Sequence, residues 1–358
     1  MHGIPWPYYP RTGIGVSGSA WIDVGYETIE RGNPSQQGLR SLISQGRGVA
    51  RFTPTFSKGD YYAQGQLELV ANADQSLNPP AVANTDDAWV RVGRWNDWDI
   101  QLGRYEAFEV YHFGLGMDLN TQERKGARDS SKDPPDVPGL PDYVYRQNGM
   151  NNVAVHKYFG KVLRLELLVQ LGLDSASTLN GYGGRPAAVL DFGAVKLKAS
   201  GDARRLFGQS PDSKELRTQR GGSFAAQLVL PPYVEAGVNA AIELVDHWGP
   251  QNTSDPQAPR GDYDAAGSTT TTALGGFVNV RLFKGLVAGA GVNLIVQTDQ
   301  VDGKFTNLPA FGALQYQLNP QIYFKGVFGY DKFDLDPGNL EPWTNTMLSG
   351  RFRVLLLF

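Results

Sequence analysis

The chain ends in the stretch LSGRFRVLLLF, residues 348–358, and this stretch decides the fold class. Side chains along a β-strand alternate between its two faces. Here one face carries Leu348, Phe352, Val354, Leu356 and Phe358, and the other carries Ser349, Arg351 and Arg353. The segment is therefore predicted to be a strand with one apolar face and one polar, charged face.

The same alternation recurs in residues 14–24, 163–170, 234–244 and 286–297. In each segment the apolar side chains share one face and polar side chains occupy the other. The sequence has no run of about 18 apolar residues, the length that a membrane-spanning helix needs. The pattern predicts an all-β protein and excludes a helical membrane protein.

Short turns alternate with long polar connections along the chain. The short turns are predicted at residues 58–60, 96–97, 160, 231–232, 284–285 and 319–320, and the long connections at residues 31–46, 73–85, 114–149, 249–267 and 336–343. This rhythm is typical of outer-membrane barrels, which have short periplasmic turns and long external loops.

We predict a single domain over residues 1–358, a transmembrane antiparallel β-barrel of about sixteen strands. Residues 1–10 form a segment before the first strand. They lack the charged and apolar regions of a signal peptide, so a mature exported form is expected. The count of sixteen requires residues 202–209 to form a short strand, and fourteen or eighteen strands are the alternatives.

Composition excludes several classes of site. The 358 residues include 43 glycines and no cysteine, which rules out disulfides, thiolate zinc sites and cysteine nucleophiles. The formal net charge is −3 and basic residues are not gathered on one segment, so a nucleic-acid partner is not expected.

Aromatic residues stand beside the predicted short turns. These residues are Tyr61, Tyr62, Trp95, Trp98, Tyr158, Phe159, Tyr233 and Phe283. They are predicted to form an aromatic girdle at the membrane interface, and ordinary packing at the turns is the alternative.

With these features the sequence resembles the Gram-negative porins, which have about sixteen strands, a third external loop longer than the others and a C-terminal aromatic residue. The pair of segments WVRVGR (residues 89–94) and IQLGRY (residues 100–105) is similar to strands that precede the inward-folding loop of substrate-selective porins. No subfamily is fixed by these motifs.

The resemblance implies a location in the outer membrane, in contact with the lipid bilayer and lipopolysaccharide. It implies that Phe358 is the signal read by the barrel-assembly machinery, and it allows a homotrimer. The function it implies is a water-filled passive diffusion channel for small hydrophilic solutes or ions.

By the same resemblance, residues 114–149 are a candidate constriction loop that folds into the barrel. Its charged residues include Asp118, Glu123, Arg124, Lys125, Arg128, Asp129 and Lys132. A solvated external loop of mixed charge is the alternative.

Polar strand faces are expected to line the lumen. They carry Arg51, Arg91, Arg164, Arg281, Lys325, Arg351, Arg353, Glu68, Glu166 and Glu235, and also Asp23, Glu27, Glu243 and Asp331. Arg281, Lys325, Arg351 and Arg353 could form a basic stripe that attracts anions, or could form salt bridges across the wall. Trp21, Trp89 and Tyr323 also point inward by this count, which would suit a sugar-preferring pore.

No catalytic site is predicted. The histidines are His2, His112, His156 and His247, and the last three are placed at strand ends near the outer loops, without a motif that marks a serine as nucleophile. No metal or cofactor motif is present, although acidic external loops could bind calcium loosely. The alternative functions are a plugged docking barrel for adhesion, secretion or motility machinery and, last in order, an outer-membrane hydrolase.

Overall fold

The computed structural model describes residues 12–32, 38–74, 81–105, 151–173, 180–207, 215–230, 234–247, 267–299, 303–336 and 342–358. The candidate constriction loop lies outside these residues, and so do all of its predicted charged residues, Asp118, Glu123, Arg124, Lys125, Arg128, Asp129 and Lys132. The predicted segment 1–10 and the predicted turn 231–232 also lie outside them. Among the described residues, no helix is long and apolar enough to cross a membrane.

The described residues form sixteen β-strands. Their bounds are β1 Gly13–Arg31, β2 Leu39–Lys58, β3 Tyr61–Asp74, β4 Ala81–Arg94, β5 Trp98–Arg104, β6 Asn151–Phe159, β7 Leu163–Leu173, β8 Asn180–Asp191, β9 Val195–Phe207, β10 Glu215–Leu230, β11 Val234–His247, β12 Ser268–Phe283, β13 Leu286–Asp299, β14 Gly303–Asn319, β15 Ile322–Asp336 and β16 Trp343–Leu357.

Each strand pairs antiparallel with its neighbours in the chain, and β1 pairs with β16 to close the barrel. The closing ladder runs from the Ser19 and Leu357 pair to the Arg31 and Asn345 pair. Closure leaves no sheet edge, so every strand finds hydrogen-bond partners on both sides. The predicted all-β transmembrane barrel of sixteen strands is confirmed.

The outer surface of the barrel is apolar, as the alternation predicted. In β1 the side chains of Ile14, Ile22 and Val24 are 74%, 63% and 50% exposed, whereas Asp23 between them is fully buried on the other face. Most strands have more than the roughly 9–11 residues that a tilted strand needs to cross a bilayer. The apolar face therefore suits contact with lipid, and the polar face points into the lumen.

The aromatic girdle was only partly predicted correctly. Tyr61, Phe159 and Phe283 are exposed on the outer surface beside short turns. Tyr62, Trp95 and Tyr158 are instead buried. The faces alternate residue by residue, so nearness to a turn does not decide which side an aromatic ring takes. Tyr233 lies outside the described residues, and Trp98 is half-buried.

Three boundaries differ from the prediction. The connection after β1 was placed at residues 31–46, but β2 already begins at Leu39, which pairs with Ile29 of β1. The connection after β3 was placed at residues 73–85, but β4 already begins at Ala81, which pairs with Ala73 of β3. Of the weak strand predicted at residues 202–209, residues 202–207 form the second half of β9, which begins at Val195. Residues 208 and 209 lie outside the described part of the chain. The missed turn between β8 and β9 centres on Gly193, whose φ is 81° and whose amide donates to Asp191 Oδ1 at 2.9 Å.

Phe358 lies at the closing seam. Its backbone amide and carbonyl exchange hydrogen bonds with Gly18 of β1, at 3.1 and 2.7 Å. Its ring lies against Gly18, where an added Cβ would overlap the ring and the carbonyl oxygen of Val49. The terminal residue thus completes the ladder on the outer surface. Its role as the signal for barrel assembly stays a prediction.

We expect Gly18→Ala to destabilise the closed barrel by about 1–3 kcal/mol, because the added methyl group displaces the Phe358 ring or the neighbouring strand. The matched control is Gly48→Ala in β2, where an added Cβ meets nothing within 4 Å. Urea unfolding of both variants in detergent micelles measures the difference. Equal midpoints for the two variants would contradict this account of the seam.

Candidate functional site: the inner wall of the barrel

The inner wall holds the candidate site. Residues paired across an antiparallel ladder point to the same side of the sheet, so the strand registers trace the inward face around the barrel. That face includes all ten predicted pore-lining residues, namely Arg51, Glu68, Arg91, Arg164, Glu166, Glu235, Arg281, Lys325, Arg351 and Arg353. Their part in selectivity stays a prediction.

Several of these residues form ion pairs within the wall. Arg51 and Glu68 pair directly across β2 and β3, and Arg51 donates from Nε to the Glu68 carboxylate. Arg47 reaches the same carboxylate at 3.9 Å. Glu68 is buried, so these arginines balance a charge that would be costly if it stood alone.

Arg353 makes the best-defined ion pair. Its Nε and Nη2 donate to the two carboxylate oxygens of Asp23, at 2.5 and 2.6 Å, which is the bidentate geometry that a guanidinium favours. Its Cζ also lies 3.9 Å from the centroid of the Trp21 ring. This contact holds the inward-facing Trp21 against the wall beside the closing seam.

Three of the four residues of the predicted basic stripe share one row around the wall. Lys325 of β15 pairs in register with Arg353 of β16, and Arg281 of β12 is separated from Lys325 by Val287 and Gln315 on the two strands between. Arg351 follows in the same strand as Arg353. Because Arg353 is paired with Asp23, part of the positive charge of the stripe is compensated.

A row of alternating charge crosses five consecutive strands and is called the charge belt below. From β4 to β8 its members are Arg91, Asp99, His156, Glu166 and Arg185. At one end, Arg91 Nε lies 3.6 Å and His156 Nδ1 lies 2.5 Å from Asp99 Oδ1. The other ring nitrogen, His156 Nε2, lies 3.0 Å from Glu166 Oε2. At the other end, Arg185 Nη1 donates to Glu166 Oε1 at 3.1 Å.

The charge belt corrects the placement of His156. This residue was predicted at a strand end near the outer loops, but it lies inside β6 on the side of the short turn, and it is 1% exposed. His247 does end β11, next to a long connection. His2 and His112 lie outside the described residues.

Tyrosines complete the surroundings of Asp99. The hydroxyls of Tyr62 and Tyr158 both donate to Asp99 Oδ2, each at 3.0 Å. The ring of Tyr62 stacks on Trp95, with centroids 3.7 Å apart. The aromatic residues assigned to the girdle thus fix a buried carboxylate instead.

The other predicted wall residues have polar neighbours. Glu235 accepts hydrogen bonds from the amides of Gln227 and Asn279, the second at 3.4 Å. Arg164 is buried and pairs in register with Tyr158. Polar side chains that face the lumen are therefore tied into the wall.

Two of the aromatic residues predicted to face the lumen also have polar neighbours. Arg91 Cζ lies 5.0 Å from the centroid of the Trp89 ring. The hydroxyl of Tyr323 accepts a hydrogen bond from Gln317 at 2.9 Å.

The inward faces of β12, β13 and β14 are nearly neutral. Along the inward faces of these three described strands, only Arg281 and Asp299 at the ends are charged. The positions between carry glycine or amide, hydroxyl, aliphatic and aromatic side chains. One row across β11 to β15 alternates glycine and phenylalanine, as Gly237, Phe277, Gly291, Phe311 and Gly329. This neutral sector was not anticipated from the sequence.

The phenylalanine rings of the neutral sector lie over glycines of the neighbouring strand. A Cβ added at Gly237 would come within 2.6 Å of the Phe277 ring, and one at Gly291 would overlap the Phe311 ring. Aromatic rings commonly cover glycines across a sheet in this way. The rings therefore lie along the wall and do not project across the lumen.

An ion pair links Asp97, in the short turn between β4 and β5, to Lys157 of β6. Lys157 Nζ donates to Asp97, and this hydrogen bond, together with the charge of Arg94 3.6 Å away, holds the pKa of Asp97 below its ordinary value. A lowered pKa means that the pair stabilises the fold while Asp97 is ionised. This stabilisation is lost as pH falls through the pKa of the folded state.

Sequence reasoning missed Asp99, His156 and Arg185 as parts of one network. Each occupies an inward position of an alternating strand, which is a signal that could have been used. Their contacts depend on strand register, which a single sequence does not give.

Among the described residues, no group of three or more histidine, cysteine, aspartate or glutamate side chains is arranged to hold a metal ion. The calcium binding expected at acidic external loops stays a prediction, since the predicted loop 114–149 and all but the last residue of the predicted loop 249–267 lie outside the described part of the chain.

Comparison with solved structures shows where this fold occurs. The outer membrane channel DcaP of Acinetobacter baumannii is 12% identical, with a TM-score of 0.60 over 96% of this chain and 97% of that chain. An anion-selective porin from Comamonas acidovorans is 13% identical, with a TM-score of 0.56 over 97% and 99%. A trimer form of OmpT, an outer membrane protein of Vibrio cholerae, is 11% identical, with a TM-score of 0.53 over 94% and 99%.

No protein-family model and no curated protein sequence matches the chain. Likeness at such low identity concerns the fold, and the fold is that of the outer-membrane porins. A closed barrel of sixteen strands with an apolar outer surface is a multi-pass protein of a Gram-negative outer membrane.

We expect Asp99→Asn to destabilise the barrel by about 3 kcal/mol, because the change removes the charge that holds His156 and Arg91 while both stay in the wall. The matched control is Asp60→Asn at an exposed turn, where the pair with Arg94 contributes little. Thermal unfolding in micelles, followed by near-ultraviolet circular dichroism, measures both. A variant at position 99 as stable as the control would show that the charge belt does not stabilise the wall.

Proposed function

We propose that this outer-membrane barrel of the porin fold is a passive diffusion channel for small hydrophilic solutes or ions. The observation that carries the proposal is the closed barrel of sixteen strands, with apolar side chains outward and charged side chains inward. A barrel of this size encloses a lumen too wide for wall side chains alone to fill. Solutes would move down their own gradient, and no reaction is part of the proposal.

Many inward side chains are buried against their neighbours in the wall, among them Glu68, Asn293 and Ser349. Selectivity would then depend on the few side chains that solutes still meet. The constriction role of residues 114–149 remains a prediction from the resemblance.

Anions are the favoured class of ion. The row carries three basic side chains, Arg281, Lys325 and Arg353, and Asp23 compensates part of the charge of Arg353. Rings of basic side chains select anions in this way. The Comamonas porin of the same fold is described as anion-selective, which agrees with this proposal.

A sugar preference is a second candidate. The neutral sector presents amide groups beside phenylalanine rings that lie along the wall, and Trp21 also faces inward. Amides hydrogen-bond to hydroxyl groups, and ring faces pack against the apolar faces of sugars. Competition between sugars and chloride for the current would separate the two preferences.

Partners follow from the same proposal. The outer surface would contact the bilayer and lipopolysaccharide, and Phe358 would be read by the assembly machinery. A homotrimer is proposed because OmpT, which shares the fold, was solved in a trimer form. Crosslinking in native membranes tests the oligomeric state.

Purified protein in a planar lipid bilayer should give stepwise, stable increases in conductance, because each inserted barrel adds one water-filled path. The control is the same protein after heat denaturation. Silence at all voltages would contradict the channel and favour a plugged docking barrel.

Arg281→Glu should shift the reversal potential in a salt gradient toward cation selectivity. This side chain is inward and exposed, so reversing its charge breaks no buried ion pair. The control is Arg220→Glu in β10, which changes the same charge on the outer surface. A similar shift in both variants, or none in Arg281→Glu, would contradict the basic row as the source of selectivity.

A further inference from the structure

The hydrogen bonds of the charge belt show how many protons its central residues hold. Glu166 Oε1 receives a hydrogen bond from Arg185, and its Oε2 lies 3.0 Å from His156 Nε2. Asp99 Oδ2 receives hydrogen bonds from Tyr62 and Tyr158, and its Oδ1 lies 2.5 Å from His156 Nδ1. Both ring nitrogens of His156 therefore face carboxylate oxygens.

A neutral imidazole has one N–H donor and one lone pair, and an ionised carboxylate is only an acceptor. A neutral histidine can therefore donate a hydrogen bond to only one of the two carboxylates. Hydrogen bonds to both carboxylates need one additional proton in the group. The proton lies on the ring as an imidazolium or on one of the carboxyl groups. In either case Asp99, His156 and Glu166 share one additional positive charge.

The titratable and charged groups that face this triad come from the strands packed around it. They are Tyr62 of β3, Arg91 of β4, Tyr105 directly after β5, Tyr158 of β6, Arg164 of β7 and Arg185 of β8. His156 and Asp99 are at most 1% exposed, so bulk water does not replace the missing hydrogen bond if the proton leaves. Loss of the proton would bring a lone pair of the ring against a carboxylate.

We propose that Asp99, His156 and Glu166 form a proton-binding site in the channel wall, and that the proton held there makes the ion selectivity of the channel depend on pH. The site faces inward between β5 and β7, so its charge acts on the lumen. Losing the proton removes one positive charge from this side of the wall and breaks one of the two hydrogen bonds between the ring and the carboxylates. This inference rests on the proposed channel function.

The test is the reversal potential of single channels in a salt gradient, measured from about pH 5 to about pH 10, a range in which histidine sites titrate. Wild-type protein should show a step toward cation selectivity as the pH rises. His156→Gln should lose this step, because glutamine holds no proton that titrates. His247→Gln, the same substitution at the end of β11, should keep it.

Glu166→Gln is a second test, which still applies if the His156→Gln variant does not fold. It removes one of the two carboxylates that hold the proton, so the step should move to lower pH. A step that persists unchanged in His156→Gln or Glu166→Gln, or a wild-type channel without a step, would overturn the proton site while leaving the channel intact. A wild-type protein without any current would overturn the channel itself, and the proton site with it.

Discussion

The pairing of β1 with β16 is the constraint on which the rest of the structure depends. A lipid bilayer offers no hydrogen bonds to a backbone, so a sheet can enter it only when its first and last strands satisfy each other. Closure forces all side chains into two populations, one facing lipid and one enclosed. The apolar outer surface and the charged inner wall are consequences of this division.

The inner wall shows how the enclosed charges are tolerated. Acidic residues such as Asp23, Glu68 and Glu166 each lie within reach of an arginine from a neighbouring strand. Buried ion pairs of this kind contribute little net stability, but each partner becomes costly without the other. The wall therefore holds its charges in fixed positions, which is what selection by charge requires of a channel.

The fold class could be predicted from the sequence. Apolar and polar residues alternate over many strands and no apolar run is long enough for a membrane-spanning helix, and a β-barrel is the structure that fits both features. The short turn at Gly193 was missed although it carries a glycine, as the predicted turns at residues 58–60, 160 and 284–285 do. The start of β2 was missed because its first residues are mostly polar or small. Inward placement was predictable for single residues. The charge belt was not, since partners such as His156 and Glu166 meet only when the register of two strands is known.

The phenylalanines that lie over Gly237 and Gly291 affect the inner diameter of the barrel. A ring that stood upright from the sheet would narrow the bore by its whole length, whereas a ring lying along the wall adds only its own thickness. Wherever glycine alternates with an aromatic residue, the backbone thus fixes the inner diameter. A barrel built in this way can change its bore at a single glycine without altering the number of its strands.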